Sequence, residues 1–250
     1  MKAMIFAAGL GTRLKPVTDS IPKALVELDG VTLLERVMRK LLKAGIDEFV
    51  INVHHFPQQI IDFLNANSAF GASVFISDEQ PEALETGGGV LHARPLLLDG
   101  ESCGRFLAHN VDIISNLDIS AFETSLREDA LSTLVVSERP TSRYFLFDDD
   151  MRLVGWTNVA TGEVRSPFGA IDPARYRRLA FAGIHILSEK VFAVMDSLGF
   201  DGRFSIVDFY LKAAGEYPIY GYAPAGLKIL DVGKPATLLE GHSFLEEIGA

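Results

Sequence analysis

Residues 4 to 26 read Met-Ile-Phe-Ala-Ala-Gly-Leu-Gly-Thr-Arg-Leu-Lys-Pro-Val-Thr-Asp-Ser-Ile-Pro-Lys-Ala-Leu-Val, an apolar strand that opens at once into a glycine-containing, cationic loop. The rest of the chain is expected to serve this loop. Gly9 and Gly11 tolerate positive φ and carry no Cβ, so the backbone N–H groups between them can approach an anion closely. Arg13 adds a planar fork of donors matched to phosphate oxygens, and Lys23 a mobile point charge one short loop later. Ala8, Gly9, Gly11, Thr12, Arg13 and Lys23 therefore form a candidate polyphosphate cradle. A dinucleotide fingerprint is excluded, because Leu14 stands where its third glycine belongs and the second strand closes on Val53-His54-His55 instead of an acidic residue. No Gly-x-x-x-x-Gly-Lys followed by Ser or Thr occurs, so a P-loop is excluded too.

The run from Ala8 to Thr18 followed by Pro22-Lys23-Ala24-Leu25 resembles the signature G-x-G-T-R-[LM]-x-P-[LV]-T…[PK]-K-x-[LM] of sugar-1-phosphate nucleotidyltransferases. The resemblance extends to about residue 240, and its short relatives are N-acetylmuramate-1-phosphate uridylyltransferases and mannose- or heptose-1-phosphate guanylyltransferases. It implies an α/β fold: a doubly wound, mostly parallel, Rossmann-like sheet of the nucleotide-diphospho-sugar transferase type. It also implies a single domain over 1–250, with a nucleotide-binding half at 1–125 and a sugar-binding half at 126–250.

By length, 250 residues fit one large α/β domain as easily as two small ones, and either way a sizeable core can be buried. A net charge of −10 and a pI near 5.1 argue against a nucleic-acid partner, which would need a basic stripe to neutralise phosphates. The single cysteine, Cys103, rules out an intramolecular disulfide and a cysteine metal cluster and reads as a small buried apolar residue. No stretch of ~18 uncharged apolar residues is available for a membrane span, and no leader precedes the first strand, so a cytoplasmic location is expected.

Along the chain, Thr32 to Lys43 carries leucines and valine at helical spacing with charges between them, and Gly45 ends that helix. Glu48 to His54 is a nearly continuous apolar run, as in a parallel strand covered on both faces. A helix opening at Pro57, a strand at Ser73 to Ser77, a short helix at Val90 to Leu97 and a strand at Arg105 to Asn110 complete a fourfold alternation. Such alternation predicts a parallel, doubly wound sheet with ligands beyond the carboxyl ends of its strands. Ser132 to Ser137, Tyr144 to Asp148 and Leu153 to Thr157 read as a small antiparallel β insertion in the second half. A buried strand at Leu179 to Leu187, two helices, two more strands and a helix at Leu238 to Ile248 follow.

The reaction the resemblance implies joins a sugar-1-phosphate oxygen to the α-phosphorus of a nucleoside triphosphate, and pyrophosphate leaves. The nucleophile is already an anion, so the demand is for cations, N–H donors and a divalent metal rather than a general base. Magnesium prefers one or two carboxylates with phosphate oxygens and water. Asp112 and Asp231, the latter within Lys228-Ile229-Leu230-Asp231-Val232-Gly233-Lys234-Pro235, match the family's two Mg²⁺ aspartates. Val111 departs from the family's glycine and puts a β-branched side chain near the expected path of phosphate and ribose. Asp118, six residues on, is a candidate rescue ligand for the metal, although the expected role is to cap a helix starting near Ser120.

Glu85-Thr86-Gly87-Gly88-Gly89 is expected to precede a helix, leaving Gly88 to read a nucleobase through its bare backbone. This glutamate form with three glycines resembles the muramate-phosphate branch and favours UTP, with GTP open. Glu79 or Gln80 could add a side-chain contact, although solvated loop positions are expected for both. On the sugar side the resemblance points to Asn110 and to Gly183 within Phe181-Ala182-Gly183-Ile184. The family's Glu-Lys pair has no counterpart in Leu153 to Asn158, leaving Arg203 or Arg165 as replacement cations. The histidines His54, His55, His109 and His185 lack zinc-site spacing and read as strand-end or core residues. Catalysis thus falls to Arg13, Lys23 and Asp112 in a monomer or small homo-oligomer, and the other open reading is a nucleotide-sugar sensor or pseudo-enzyme without turnover.

Overall fold

The computed structural model describes residues 1–99 and 104–249, so Cys103 lies outside the described residues. The strand Lys2–Phe6 runs through the middle of the sheet, buried along its whole length. Glu48–Val53 pairs with it on one side and Arg105–Asn110 on the other, and Ser73–Asp78 extends the sheet beyond Glu48–Val53, all in parallel. Past Arg105–Asn110 the long strand Arg177–Ser188 runs antiparallel; Ser132–Ser137 is antiparallel to it in turn, and Ile219–Tyr222 lies parallel to Ser132–Ser137. One reversed strand therefore sits among these seven, six of them aligned, and the doubly wound, mostly parallel α/β architecture is borne out.

Strand alternation divides the side chains between two cores. Ala3 and Ile5 point into one, under the helices Leu33–Lys43, Pro57–Ala66 and Pro235–Ile248, whereas Met4 and Phe6 point into the other, under Glu85–His92, Lys190–Ser197 and Ile206–Ala213. Both faces are covered, which is why the parallel strands read as unbroken apolar runs rather than alternating ones. The Leu33–Lys43 helix begins where expected: the Thr32 hydroxyl accepts from Glu35 N at 3.2 Å, an N-cap worth about 1 kcal/mol. It ends at Gly45, whose φ of 84° is open to glycine without strain. Asp118 caps the helix Ile119–Thr124 by accepting from Ala121 N at 2.9 Å.

Two elements differ from expectation. Ser132–Ser137 belongs to the main sheet; the antiparallel addition is Arg143–Phe147, Leu153–Asn158 and Glu163–Arg165, attached through residues 177–179 of the long strand. The three glycines do not precede a helix but lie inside Glu85–His92, with Arg94–Leu97 a separate short turn. Close packing overrides glycine's poor helix propensity there. A Cβ on Gly87 or Gly88 would overlap the Phe204 ring or the Gly202 carbonyl, and one on Gly89 would lie 2.6 Å from Glu79 Oε1. Among the described residues no helix is long and apolar enough to cross a membrane.

Candidate active site

The loop after the central strand opens into a cavity of about 410 Å³ at the carboxyl end of the parallel strands, as the topology requires. Residues 6–13 form one side of it, Lys23 with Asn110, Val111 and Asp112 a second, and Glu79, Ala83, Glu85, Thr86 and Arg203 a third. Every cradle residue expected from the sequence, Ala8, Gly9, Gly11, Thr12, Arg13 and Lys23, lines this one space. Gly11 is required twice over: its φ is 63°, and a Cβ there would lie 2.8 Å from Thr18 Cγ2 while the Thr18 hydroxyl donates to Gly11 O at 2.8 Å. No other residue approaches the Cβ position of Gly9 within 4 Å, so its backbone faces open space.

A two-stranded ribbon brings the two aspartates together. Ile113–Ser115 pairs antiparallel with Ile229–Asp231, placing Asp231 opposite Ile113, and Val232 N donates to Asp112 O at 2.8 Å. Lys23 Nζ pairs with Asp112 Oδ2, the two side chains only 12% and 13% exposed. Gly233 abuts both remaining groups: a Cβ there would stand 2.6 Å from Asp231 Oδ1 and 2.8 Å from Arg13 Nη2. Asp231 Oδ1 is buried with no hydrogen-bond donor. Burial, reinforced by the Asp112 charge, raises the Asp231 carboxyl above the usual carboxylate range, against the pull of Lys23, Arg13 and Arg139. Two carboxylates side by side, one with an orphaned buried oxygen, leave acceptor oxygens that suit a hard divalent cation taking its remaining ligands from phosphate and water. No cluster of three or more metal-ligating side chains occurs among the described residues, and magnesium does not need one.

Val111 needs no glycine backbone: it is absent from the residues with positive φ and its side chain is buried in the core, while the residue still borders the cavity. Gly88 does not offer its amide to the cavity: the N–H donates to Phe204 O at 3.1 Å and the residue packs against Gly202. Close helix-to-loop contact thus demands the glycine, and the sequence pattern alone could not distinguish that demand from base readout. Glu79 is no solvated loop residue. It is 2% exposed, accepts from Asn52 Nδ2 at 2.6 Å and Leu84 N at 2.9 Å, and lines the cavity, whereas Gln80 turns away to His54 O at 2.8 Å.

On the other side Gly183 has φ 73°, and a Cβ there would meet Asn110 Nδ2 at 2.6 Å, so these two candidate residues are in contact. Arg203 lines the cavity and pairs with Glu85 at 3.0 Å, but Arg165 is spent on Asp208 at 2.7 Å, away from the lining. Arg139, whose charge reaches Asp231, was missed by sequence reasoning and carries no motif that could have revealed it. His109 and His185 are fully buried core residues, held neutral by desolvation with pKa values pushed down to about 4 and about 3.

A doubly wound α/β sheet with an anion cradle and paired aspartates at the ends of its strands defines a nucleotide-handling transferase. The sequence model described as nucleotidyl transferase matches residues 2–154. An N-acetylmuramate alpha-1-phosphate uridylyltransferase from Caulobacter vibrioides is 33% identical over 252 residues, covering 98% of this chain and 97% of that protein. The protein of the same name from Neisseria meningitidis is 41% identical over 143 residues, covering 56% and 60%. Among solved structures, apo UDP-glucose pyrophosphorylase superposes with a TM-score of 0.78 at 16% identity over 100% of both chains. The inositol-1-phosphate CTP transferase from T. maritima gives 0.76 at 20% identity over 99% and 95%; both likenesses concern the fold. The chain belongs to the nucleotidyl transferase family, as one of its sugar-1-phosphate nucleotidyltransferases. Its reaction class is the condensation of a nucleoside triphosphate with a sugar 1-phosphate to an NDP-sugar and pyrophosphate, rather than silent sensing.

Proposed function

We propose that this chain is a Mg²⁺-dependent uridylyltransferase acting on UTP and a sugar 1-phosphate, in the cytoplasm, where nucleoside triphosphates are made. The observation that carries this reading is the convergence of Arg13, Lys23 and Asp112 in the lining of one cavity, with Asp231 held behind Gly233 at its edge, in an acidic chain. The Gly9–Thr12 backbone and Arg13 hold the β and γ phosphates, and Lys23 faces the reacting phosphates. The neighbouring Glu79 and Glu85 wall supplies the base contacts, in place of the Gly88 amide. Asn110 and the Gly183 backbone take the sugar, dividing the labour between the first and second halves of the chain.

Asp112 and Asp231 would hold the magnesium, which supplies positive charge to phosphates that otherwise repel one another. The protein's own part is alignment and electrostatics. Arg13 and the loop amides draw the pyrophosphate away from the α-phosphorus along the line of attack, and Lys23 offsets the charge that gathers between the reactants. No side chain has to remove a proton from the nucleophile. UTP is favoured over GTP by 33% identity to the Caulobacter uridylyltransferase across nearly the whole chain, which makes N-acetylmuramate 1-phosphate the first sugar to test. Pyrophosphate release is to be measured with UTP and GTP, each against muramate, mannose, glucosamine and heptose phosphates. Release with UTP and one sugar is expected; binding without release from any pair would sink the assignment.

A further inference from the structure

A sugar 1-phosphate brings a dianion to a pocket that must also receive a triphosphate, so the sugar side needs a cation of its own. The cations lining the cavity have other engagements. Lys23 holds Asp112, Arg203 holds Glu85, and Arg13, on the glycine loop, is assigned above to the phosphates of the nucleotide. A further guanidinium lies just outside that lining, on the side of Asn110. Arg139 follows the strand Ser132–Ser137 and donates Nη2 to Phe181 O at 3.0 Å.

Phe181 opens the register shift that runs to His185 in the long strand, and Gly183, within that shift, abuts the Asn110 amide. Asn110 lines the cavity beside Asp112. Arg139 therefore lies beside the strand segment that carries Gly183, one step removed from the Asn110 lining, and its charge reaches the Asp231 carboxylate. Among the described residues it makes no ion pair at contact distance, and its buried Nε has no acceptor. A half-buried guanidinium with one backbone acceptor, in a chain with 33 acidic residues to 23 basic ones, is a cation kept for an incoming anion.

We propose that Arg139 binds the phosphate of the sugar 1-phosphate, approaching from the Phe181–Gly183 side of Asp231; this rests on the nucleotidyl transfer proposed above. The planar fork suits two phosphate oxygens at once, and the Phe181 carbonyl fixes its orientation. A purely structural role, tying down the strand irregularity, would affect both substrates alike. Arg139→Gln keeps a donor for Phe181 O but loses the charge, and Arg139→Lys keeps the charge but loses the fork.

Initial rates of pyrophosphate release are to be measured with UTP and N-acetylmuramate 1-phosphate, each varied in turn. Arg139→Gln is expected to raise KM for the sugar phosphate by about ten-fold or more while KM for UTP stays within about two-fold, with Arg139→Lys between it and the parent. Equal shifts in both KM values, no shift, or a lysine variant no better than glutamine would overturn the proposal. Calorimetric titration of the parent and both variants with N-acetylmuramate 1-phosphate provides a second readout independent of turnover. If the parent binds but releases no pyrophosphate, the nucleotidyl transfer fails, and the Arg139 contact is judged by the titration alone. If Arg139→Gln does not melt cooperatively, the lysine variant decides, an unchanged sugar-phosphate affinity counting against the contact.

Discussion

Gly233→Ala is the sharpest perturbation of the site, because it adds one methyl group at a position where the backbone needs no special conformation. Gly233 has no positive φ, so alanine introduces no backbone strain and reduces unfolded-state entropy slightly, a gain of about 0.4–1 kcal/mol. The new Cβ would lie 2.6 Å from Asp231 Oδ1 and 2.8 Å from Arg13 Nη2, both below the 3.0 Å that real Cβ contacts respect. Both groups end flexible side chains, so each can retreat by roughly half an ångström at little cost to the fold. Catalysis does not share that tolerance: a misplacement of about 1 Å can cost ~100-fold in rate. We expect kcat/KM to fall by roughly ten- to a hundred-fold, or ~1.4–2.7 kcal/mol of transition-state stabilisation, while Tm moves by less than about 3 °C. Pyrophosphate release and thermal melting on the same preparation test both halves of the expectation. A parental rate would show that Asp231 and Arg13 take no part in turnover, and a large fall in Tm would show that the side chains cannot make room.

Asp231→Asn should abolish pyrophosphate release and yet melt no lower than the parent at pH 7 without added metal. The ionised carboxyl, its pKa raised in the fold by burial and by Asp112, is a cost there that vanishes only as falling pH protonates it; a marked loss of Tm would contradict this. Gly88→Ala should destabilise by about 1–3 kcal/mol through overlap with the Gly202 carbonyl, less the ~1 kcal/mol alanine gains in a helix, and a higher KM for UTP without any loss of Tm would restore base readout to Gly88. His109 and His185 remain neutral in the fold down to about pH 4 and about 3, whereas the unfolded chain protonates both below about pH 6.5. Stability should therefore fall on acidification below pH 6.5, each histidine adding a slope approaching ~1.4 kcal/mol per pH unit, and His185→Gln should flatten the Tm-against-pH curve.

The grouping of the candidate cradle was legible because it is local. Gly9, Gly11, Arg13 and Lys23 are brought to one cavity by backbone conformation and charges set within one strand-loop unit, and the central strand's apolar run fixes where that unit sits in a parallel sheet. The capped helix at Leu33–Lys43 and the order of strands and helices in the first half were readable for the same reason: period and capping are properties of neighbours in the chain. Whether the three glycines face a ligand or a protein wall was not readable, since both uses require a missing Cβ and only the Gly202–Phe204 loop, distant in sequence, decides between them. The nearness of Asp231 to Asp112 arises from the ribbon between Ile229–Asp231 and Ile113–Ser115, and Arg139 meets the Phe181 carbonyl only because Ser132–Ser137 joins the main sheet beside Arg177–Ser188. Strand pairing between distant segments is set by which apolar faces can be buried together, so it emerges only when the whole chain packs.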